Sequence, residues 1–303
     1  MTLDGNSRIL LTGASGFVGQ SILDHISNSE EVFGKMITLI VNQSQPHISN
    51  QIKNKYEVRI IQSDLTNEWE FSGNFTHFIN LAGDGTRNPY SVQSGERFLN
   101  ISRHAANWIN SRDLEVFHAS SGATLGYFPI DKKSKNIWTK KDFISFRLKA
   151  ENEFLSKAGP HMRIRIGRLY SFIGPQLLGK KQYAINQFID GANLNGLVEL
   201  KGDPQTIRSY LWADDMAKWI LRSFQAPASS ILNIGSSVKV SMLELAQYVA
   251  CQAGANIEIS EKFEPGDIYV AQNADTLKLL GVSESLTWKQ QVDKVMKQNH
   301  MEE

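Results

Sequence analysis

The chain has 303 residues, of which 41% are hydrophobic and 21% are charged. Its 32 lysines and arginines balance 31 aspartates and glutamates, so the formal net charge is +1. This composition is typical of a globular protein of about two domains, and it excludes disordered, collagen-like and disulfide-stapled chains. Because a balanced charge provides no extended positive field, we expect small-molecule ligands and no nucleic acid partner.

The cysteine content and the hydropathy pattern indicate a cytoplasmic protein. Cys251 is the single cysteine, so an internal disulfide is excluded. The start of the sequence lacks the basic and apolar regions of a secretory signal, and apolar runs such as 36–41 are far too short to span a bilayer. The seven histidines show no metal-ligand spacing. We expect no membrane segment and no metal site.

Short β-rich runs alternate with segments of helical spacing through the first half of the chain. Such alternation indicates right-handed β-α-β crossovers and a parallel sheet. We therefore predict an α/β fold with a doubly wound parallel Rossmann-type sheet and a smaller C-terminal α/β substrate-binding lobe. The predicted strands cover residues 8–12, 36–41, 58–62, 77–82, 115–119 and 163–168.

The first predicted strand leads into a loop with three glycines and then into a helix. Gly13, Gly16 and Gly19 stand at intervals of three. Glycine permits a positive φ and lets a ligand approach the backbone closely. A helix N-terminus directs unpaired amides and the positive end of its dipole at one point. The combination predicts a site for the diphosphate of a dinucleotide.

The alternation changes near residue 170, where the second part of the chain begins. Ser241 and Glu244 have the spacing of a capping box, which predicts a helix start. The other elements predicted here are helices over 184–194 and 287–298 and a strand over 198–200. We predict a dinucleotide-binding domain over 1–169 with about 205–232, and a substrate-binding lobe over 170–204 and 233–303.

Motifs over nearly the whole chain resemble those of the extended short-chain dehydrogenase/reductases, in the group of nucleotide-sugar epimerases, dehydratases and ketoreductases. The three glycines, preceded by Thr12, resemble the family's cofactor loop, and Lys149 with Glu151 resembles its catalytic lysine and trailing glutamate. The other matching segments are 64–65, 81–83, Asn100, 120–126, 168–175, 208–215 and 265–267.

The resemblance implies an NAD(P) cofactor, a nucleotide-sugar substrate and a homodimer. Ser121, Ser145 and Lys149 would occupy the catalytic positions. Ser171 and Arg208 would contact the substrate, since a guanidinium fork suits a diphosphate. The cofactor-binding residues implied are Gly13, Ser15, Gly16, Phe17, Val18, Gly19, Asn42, Asp64, Leu65, Leu81, Ala82, Gly83, Asn100, Lys149 and Tyr170.

One catalytic position departs from the family's pattern. The family carries a tyrosine four residues before the lysine, and Ser145 stands there in this chain. An aliphatic hydroxyl is a far weaker acid than a phenol, whose pKa is about 10. Another group can supply the proton, with Tyr127, Tyr170 or a water held by Ser145 and Lys149 as candidates. Alternatively, the reaction demands less of an acid, or the protein binds its ligands without turnover.

Two further positions bear on the ligands. Glu264 precedes the Pro-Gly-Asp turn, where the family often has an arginine that holds phosphate. The second predicted strand ends in residues 41–44, Val-Asn-Gln-Ser, and this segment has no acid to bind the ribose of NAD and no base to bind the 2′-phosphate of NADP. Because no carboxylate repels the 2′-phosphate, the segment favours NADP slightly over NAD.

These patterns predict an NAD(P)-dependent nucleotide-sugar oxidoreductase or epimerase, of the 4-ketosugar reductase or epimerase type. It would act by hydride transfer at a hexose ring carbon, and the modest C-terminal lobe favours a reductase. The alternative is a catalytically silent or rewired family member that binds cofactor and sugar nucleotide as a regulatory or interaction subunit.

Overall fold

The structure is a computed structural model that describes residues 2–83, 90–110, 112–126, 128–129, 141–177 and 183–299. The strands are β1 (Arg8–Thr12), β2 (Met36–Val41), β3 (Glu57–Gln62), β4 (His77–Asn80), β5 (Leu114–Ser121), β6 (Phe128–Pro129), β7 (Met162–Leu169), β8 (Ser171–Ile173), β9 (Leu197–Leu200), β10 (Ile207–Arg208), β11 (Tyr210–Trp212), β12 (Ile231–Ile234), β13 (Val240–Ser241), β14 (Asn256–Ile259) and β15 (Asp267–Tyr269). The helices are α1 (Phe17–Asn28), α2 (Asn50–Lys55), α3 (Val92–Ile109), α4 (Lys141–Leu155), α5 (Ala184–Asn195), α6 (Ala213–Arg222), α7 (Met242–Ala253), α8 (Ala274–Leu280) and α9 (Trp288–Asn299).

A seven-stranded sheet lies at the centre of the described residues. Its strand order is β12-β7-β5-β4-β1-β2-β3, and every neighbouring pair is parallel. The chain order reverses between β1 and β4. Open α/β sheets bind ligands in the crevice at the carboxyl ends of strands at such a point. The predicted doubly wound Rossmann-type fold is confirmed.

Helices cover both faces of this sheet. Leu11 of β1 lies in a buried cluster with Ile22 of α1 and Trp219 of α6. Its neighbour Leu10 lies in a second buried cluster with Phe154 of α4. Because successive side chains of a strand point to opposite faces, the two leucines pack into two different layers. The burial of each stabilises the fold by roughly 1.5–3 kcal/mol.

The C-terminal part has a core of its own, built around Phe188 of α5, Leu245 of α7 and Val292 of α9. Helix α7 begins with the capping box: the Ser241 hydroxyl accepts the Glu244 amide at 3.1 Å, and the Glu244 carboxylate accepts the Ser241 amide at 2.8 Å. Small sheets join this part to the rest, with strand orders β13-β10-β15-β6, β11-β8 and β14-β9. The domain boundaries given above stay predictions.

Strand β4 ends at Asn80, so the predicted span 77–82 was wrong at its C-terminal end. The Leu81 amide donates to the side-chain hydroxyl of Thr12 at 3.2 Å instead of to a backbone carbonyl of the neighbouring strand β1. The Leu81 carbonyl lies against Gly13, and the chain leaves the sheet there. None of the described helices is both long and apolar enough to cross a membrane.

A buried polar chain runs beneath the glycine loop. The Thr12 hydroxyl donates to the Asn80 side-chain oxygen at 2.7 Å, and the Asn80 amide nitrogen lies 3.0 Å from His118 Nδ1. The His118 ring stacks on Phe154 with centroids 4.0 Å apart. Burial, with a smaller contribution from Arg147, lowers the pKa of His118 from 6.5 to about 3. The imidazole is therefore neutral at physiological pH and cannot act as a general base from this position.

This buried imidazole predicts a specific dependence of stability on pH. Below pH 6.5, the ordinary pKa of histidine, the unfolded chain takes up a proton that the folded chain cannot accept until pH reaches about 3. The free energy of unfolding should therefore fall by about 1.4 kcal/mol per pH unit below 6.5 from this group alone. His118→Phe keeps the stacked ring and removes the titration. Urea unfolding between pH 5 and 8 measures the free energy of unfolding of both proteins. The value for wild type minus the value for the variant should be constant above pH 7 and should decrease as the pH falls below 6.5. Equal slopes in the two proteins would contradict the assignment.

Candidate functional site

The glycine loop brings the first strand close to the fourth. Gly13 has φ +70°, and a Cβ there would lie 2.7 Å from the Leu81 carbonyl oxygen, so only glycine fits. Gly19, in the first turn of α1, lies directly against the backbone of Gly13 and Ala14 and leaves no room for a Cβ. The Gly16 amide donates to the Gly13 carbonyl at 3.1 Å. These contacts hold the start of α1 over the end of β1.

The N-terminus of α1 is not capped by a side chain. Gly16 is the cap residue, with extended backbone and no side-chain hydrogen bond to the first turn. The first amides of a helix have no partner within the helix, and the dipole places partial positive charge at the same end. Gly16, Phe17, Val18 and Gly19 line a cavity, so the start of α1 borders a space that an anion can fill.

This cavity has a volume of about 990 Å³ and continues from the glycine loop to the C-terminal part. Small-molecule sites commonly measure about 300–1,000 Å³, so it can hold a large ligand. It brings together the α1 N-terminus, Leu81, Tyr170, Ser171 and Arg208, which come from separate parts of the sequence. Leu200 and Asp203 line its far end.

Asp64 and Asn100, which are predicted for the adenine end, are exposed and are not among the residues that line this cavity. The Asp64 carboxylate accepts the Thr66 amide at 3.0 Å and the Thr66 hydroxyl at 2.8 Å, and these bonds lower the pKa of Asp64. Asn100 of α3 donates to the Thr66 carbonyl at 3.2 Å. Thr66 thus joins Asp64 to Asn100. A carboxylate held in this way can accept a hydrogen bond from an exocyclic amine. Other predicted residues in this region are Asn42, Gly83 and Ser15, which are exposed, Leu65, which is half-buried, and Ala82, which is buried.

Ser121 ends strand β5, and its hydroxyl accepts the Ala123 amide at 3.2 Å. The ring of Tyr170 lies against Gly122, where a Cβ would clash with it. A residue that the sequence motifs do not indicate lines the cavity too, and this is Tyr269. The Tyr269 hydroxyl donates to the Leu169 carbonyl at 3.1 Å, and Leu169 pairs with Ser121 in the sheet. Tyr269 therefore belongs to the site.

Ser145 and Lys149 lie on α4. Ser145 is half-buried and Lys149 is exposed, with its Nζ 5.5 Å from the centroid of the Phe146 ring. Among the described residues that line the cavity, neither Ser145 nor Lys149 occurs. Tyr170, Ser171 and Arg208 thus line one cavity, whereas Ser121, like Ser145 and Lys149, is not among its lining residues. Tyr127, another candidate for the proton, lies outside the described residues.

Glu151, two residues after Lys149, fixes α4 against the sheet. It is buried, accepts the Ser120 hydroxyl at 2.6 Å, and binds the Arg168 guanidinium at 3.0 and 2.7 Å. Buried charges are tolerated when they are paired and hydrogen-bonded in this way. Ser120 precedes Ser121, and Arg168 lies two residues before Tyr170, so this pair holds both strands that carry the site.

Arg208 lies at the substrate end of the cavity. Its Nη1 lies 2.6 Å from Asp267 Oδ1 and donates to the backbone carbonyls of Ile207 and Asp267 at 2.8 and 3.1 Å. These contacts fix the plane of the guanidinium. Its Nε and Nη2 make no hydrogen bond to another described residue, so a planar anion can accept hydrogen bonds from both nitrogens. Among the described residues there is no cluster of acidic, histidine or cysteine side chains fit to hold a metal ion.

Three comparisons with known proteins agree with this geometry. The model of the NAD dependent epimerase/dehydratase family matches residues 9–235. GDP-mannose 3,5-epimerase 1 of Oryza sativa subsp. indica is 23% identical over 93% of this chain and 77% of that protein. UDP-glucuronic acid decarboxylase 2 of Arabidopsis thaliana is 25% identical over 35% of this chain and only 24% of its own length.

Solved structures share the fold over the full length. A UDP-N-acetylglucosamine 4-epimerase from Methanobrevibacter ruminantium M1, in complex with UDP-N-acetylmuramic acid, superposes with a TM-score of 0.79 at 19% identity, covering 99% of this chain and 100% of that one. MoeE5 in complex with UDP-glucuronic acid and NAD superposes with a TM-score of 0.77 at 18% identity, covering 98% and 100%.

The open helix N-terminus predicts opposite effects of one substitution on stability and on binding. Gly16→Asp adds an N-cap acceptor, which favours the helix, and it adds a negative charge where a diphosphate would bind. The added Cβ would lie 3.3 Å from the Gly13 carbonyl, a contact that a small shift relieves. Gly16→Asn is the matched neutral control.

Calorimetry with NADH should show at least about tenfold weaker binding to Gly16→Asp than to Gly16→Asn, because only the aspartate repels the anion. Thermal unfolding should show the two variants equally stable, or the aspartate variant more stable. Equal NADH affinity in the two variants would place the diphosphate elsewhere.

Proposed function

Because the chain belongs to the NAD dependent epimerase/dehydratase family, we propose that it is an NAD(P)-dependent oxidoreductase or epimerase of nucleotide sugars. It would transfer hydride at a hexose ring carbon, as a 4-ketosugar reductase or epimerase does. One observation carries the proposal: a single cavity joins the unpaired amides at the start of α1 to Ser171 and Arg208 in the C-terminal part. A dinucleotide and a sugar nucleotide both need an anion site, and this cavity has one at each end.

The residues present fit such a cofactor, since Gly13 and Gly19 pack tightly against backbone atoms and hold a helix start without a side-chain cap beside the cavity. The amides of Phe17 and Val18 would bind the diphosphate, and Asp64 would accept from the adenine amine. Bound there, a nicotinamide cofactor supplies or accepts the hydride. Ser121 would hydrogen-bond the reacting oxygen.

A catalytically silent family member is the second candidate. Ser145 replaces the family's phenol, and Lys149 is exposed and does not line the cavity. A protein of this kind would bind cofactor and sugar nucleotide and act as a regulatory or interaction subunit. Ser145→Tyr separates the candidates: activity that appears only in the variant would support silence, whereas activity already present in wild type would support an enzyme.

We also propose that the protein is a cytoplasmic homodimer. The exposed, free thiol of Cys251 fits a reducing compartment. Helices α3 and α4 carry exposed apolar side chains, Val92 (50% exposed) and Leu148 (37% exposed), on the part of the chain through which the resembling family pairs.

The end of β2 predicts the choice between the two dinucleotides. The Asn42 side chain is exposed and neutral, so nothing there repels the 2′-phosphate of NADPH. Protein stripped of nucleotide should bind both NADPH and NADH in calorimetry, with NADPH slightly preferred. Asn42→Asp should weaken the binding of NADPH at least about tenfold and leave the affinity for NADH unchanged. The reason is that a carboxylate repels the 2′-phosphate and accepts hydrogen bonds from ribose hydroxyls. Wild-type protein that binds neither dinucleotide would refute the proposed function.

The fixed guanidinium at the other end predicts a separate effect. Arg208→Lys removes the planar donor pair and keeps the positive charge. Binding of UDP-glucose in the presence of NADH should weaken at least about tenfold, while NADH binding alone is unchanged. Arg222→Lys is the control, because Arg222 pairs with Glu31 on the surface, away from the cavity. Equal UDP-glucose affinity in wild type and Arg208→Lys would exclude Arg208 as the phosphate ligand.

A further inference from the structure

The cavity contains a tyrosine that could replace the phenol missing at position 145, and this is Tyr269. Tyr269 lines the same cavity as Tyr170 and Arg208, and its hydroxyl lies at Leu169, the residue that pairs with Ser121 in the sheet. Tyr269 lies on β15, two residues after the Pro-Gly-Asp turn, and comes from the opposite end of the chain to the cofactor loop. Local sequence spacing does not predict that Tyr269 lies beside Arg208.

Three contacts fix the Tyr269 side chain. Strand β15 pairs with β10 in parallel and places Tyr269 beside Arg208. The ring stacks on Tyr170 with centroids 4.9 Å apart and planes 29° apart. The hydroxyl donates to the Leu169 carbonyl at 3.1 Å. A phenol held by its ring, its strand and its hydroxyl is positioned as a reacting group must be.

We propose that Tyr269 supplies the phenolic proton that Ser145 cannot, and that it does so in the reduction of a ring ketone held by Ser121. The proposal rests on the proposed function and narrows it to the reductive direction. Hydride from a reduced nicotinamide dinucleotide forms the new C–H bond at the carbonyl carbon. The π electrons of the C=O bond move to oxygen, which takes the proton of Tyr269, directly or through the Ser121 hydroxyl. The ketone is reduced to a secondary alcohol, the dinucleotide is oxidised, and water reprotonates the phenolate.

The surroundings of Tyr269 favour reduction of a ketone over oxidation of an alcohol. Burial raises the pKa of its phenol, as do Tyr170 and Tyr90, while the Ser121 hydroxyl and the Arg208 charge act to lower the pKa and do not offset the burial. The phenol therefore stays protonated through the physiological range. A protonated phenol can donate to an alkoxide, which is far more basic, whereas oxidation of an alcohol needs the deprotonated form as a base. A site with this acid suits a reductase better than an epimerase, which must run both steps.

Tyr269→Phe tests the assignment, because it keeps the stacked ring and removes the hydroxyl with its hydrogen bond to the Leu169 carbonyl. With NADPH and UDP-4-keto-6-deoxyglucose as probes, kcat should fall about 100-fold, the usual contribution of a general acid, while KM for NADPH stays within about twofold. Wild-type reduction should be constant from about pH 6 to 9, since the acid does not ionise there. Tyr248→Phe is the matched control: Tyr248 binds Asp293 on the surface of α7, outside the cavity, and its loss should leave the rate unchanged.

Rescue separates a phenol that donates the proton from one that only supports the fold. Adding Ser145→Tyr to Tyr269→Phe should restore at least about tenfold of the lost rate, because it returns a phenol to the family's position. If Tyr269→Phe fails to fold, the pH profile of wild type carries the test, and a fall in kcat between pH 6 and 9 from loss of an essential acid would contradict the buried phenol as proton donor. Rates within twofold of wild type in Tyr269→Phe would overturn the role of Tyr269 alone. Wild type that binds NADPH and reduces no ketone would overturn both the role and the hydride-transfer function, and failure to bind NADPH would refute the proposed function at its first step.

Discussion

The site depends on amides at the start of α1 for which the described residues provide no side-chain cap. Their exposure to the cavity requires a positive φ at Gly13, contact between Gly13 and the Leu81 carbonyl, and a helix start without a side-chain cap. Unpaired amides and the helix dipole stabilise a bound anion without moving any charged residue. The loop is therefore suited to bind an anionic group, as the proposed function requires.

Buried polar groups hold the strands that surround this loop. Thr12, Asn80 and His118 link the adjacent strands β1, β4 and β5, and Glu151 joins β5 to a fourth strand, β7, through Ser120 and Arg168. Interactions of this kind are expensive to break, because each leaves an unpaired polar group in a low-dielectric core. They keep the carboxyl ends of the strands in register, and the geometry of Ser121 and Tyr170 follows from that register.

The strands, the glycine loop and the cap of α7 could be predicted because each depends on local pattern: burial on both faces, glycine spacing and a serine three residues before a glutamate. Strand β4 was predicted too long because its end is set by Thr12, 69 residues away from Leu81. Tyr269 could not be found for the same reason. Its place beside Ser121 and Arg208 results from the pairing of β15 with β10, and no periodicity in the sequence reports that pairing.

A crystal structure of the protein grown with NADH tests the central claim most directly. The account predicts diphosphate oxygens about 2.9 Å from the backbone nitrogens of Phe17 and Val18, with Gly13 still in its left-handed conformation. A dinucleotide bound elsewhere, or a side chain folded over the start of α1 in its place, would contradict it.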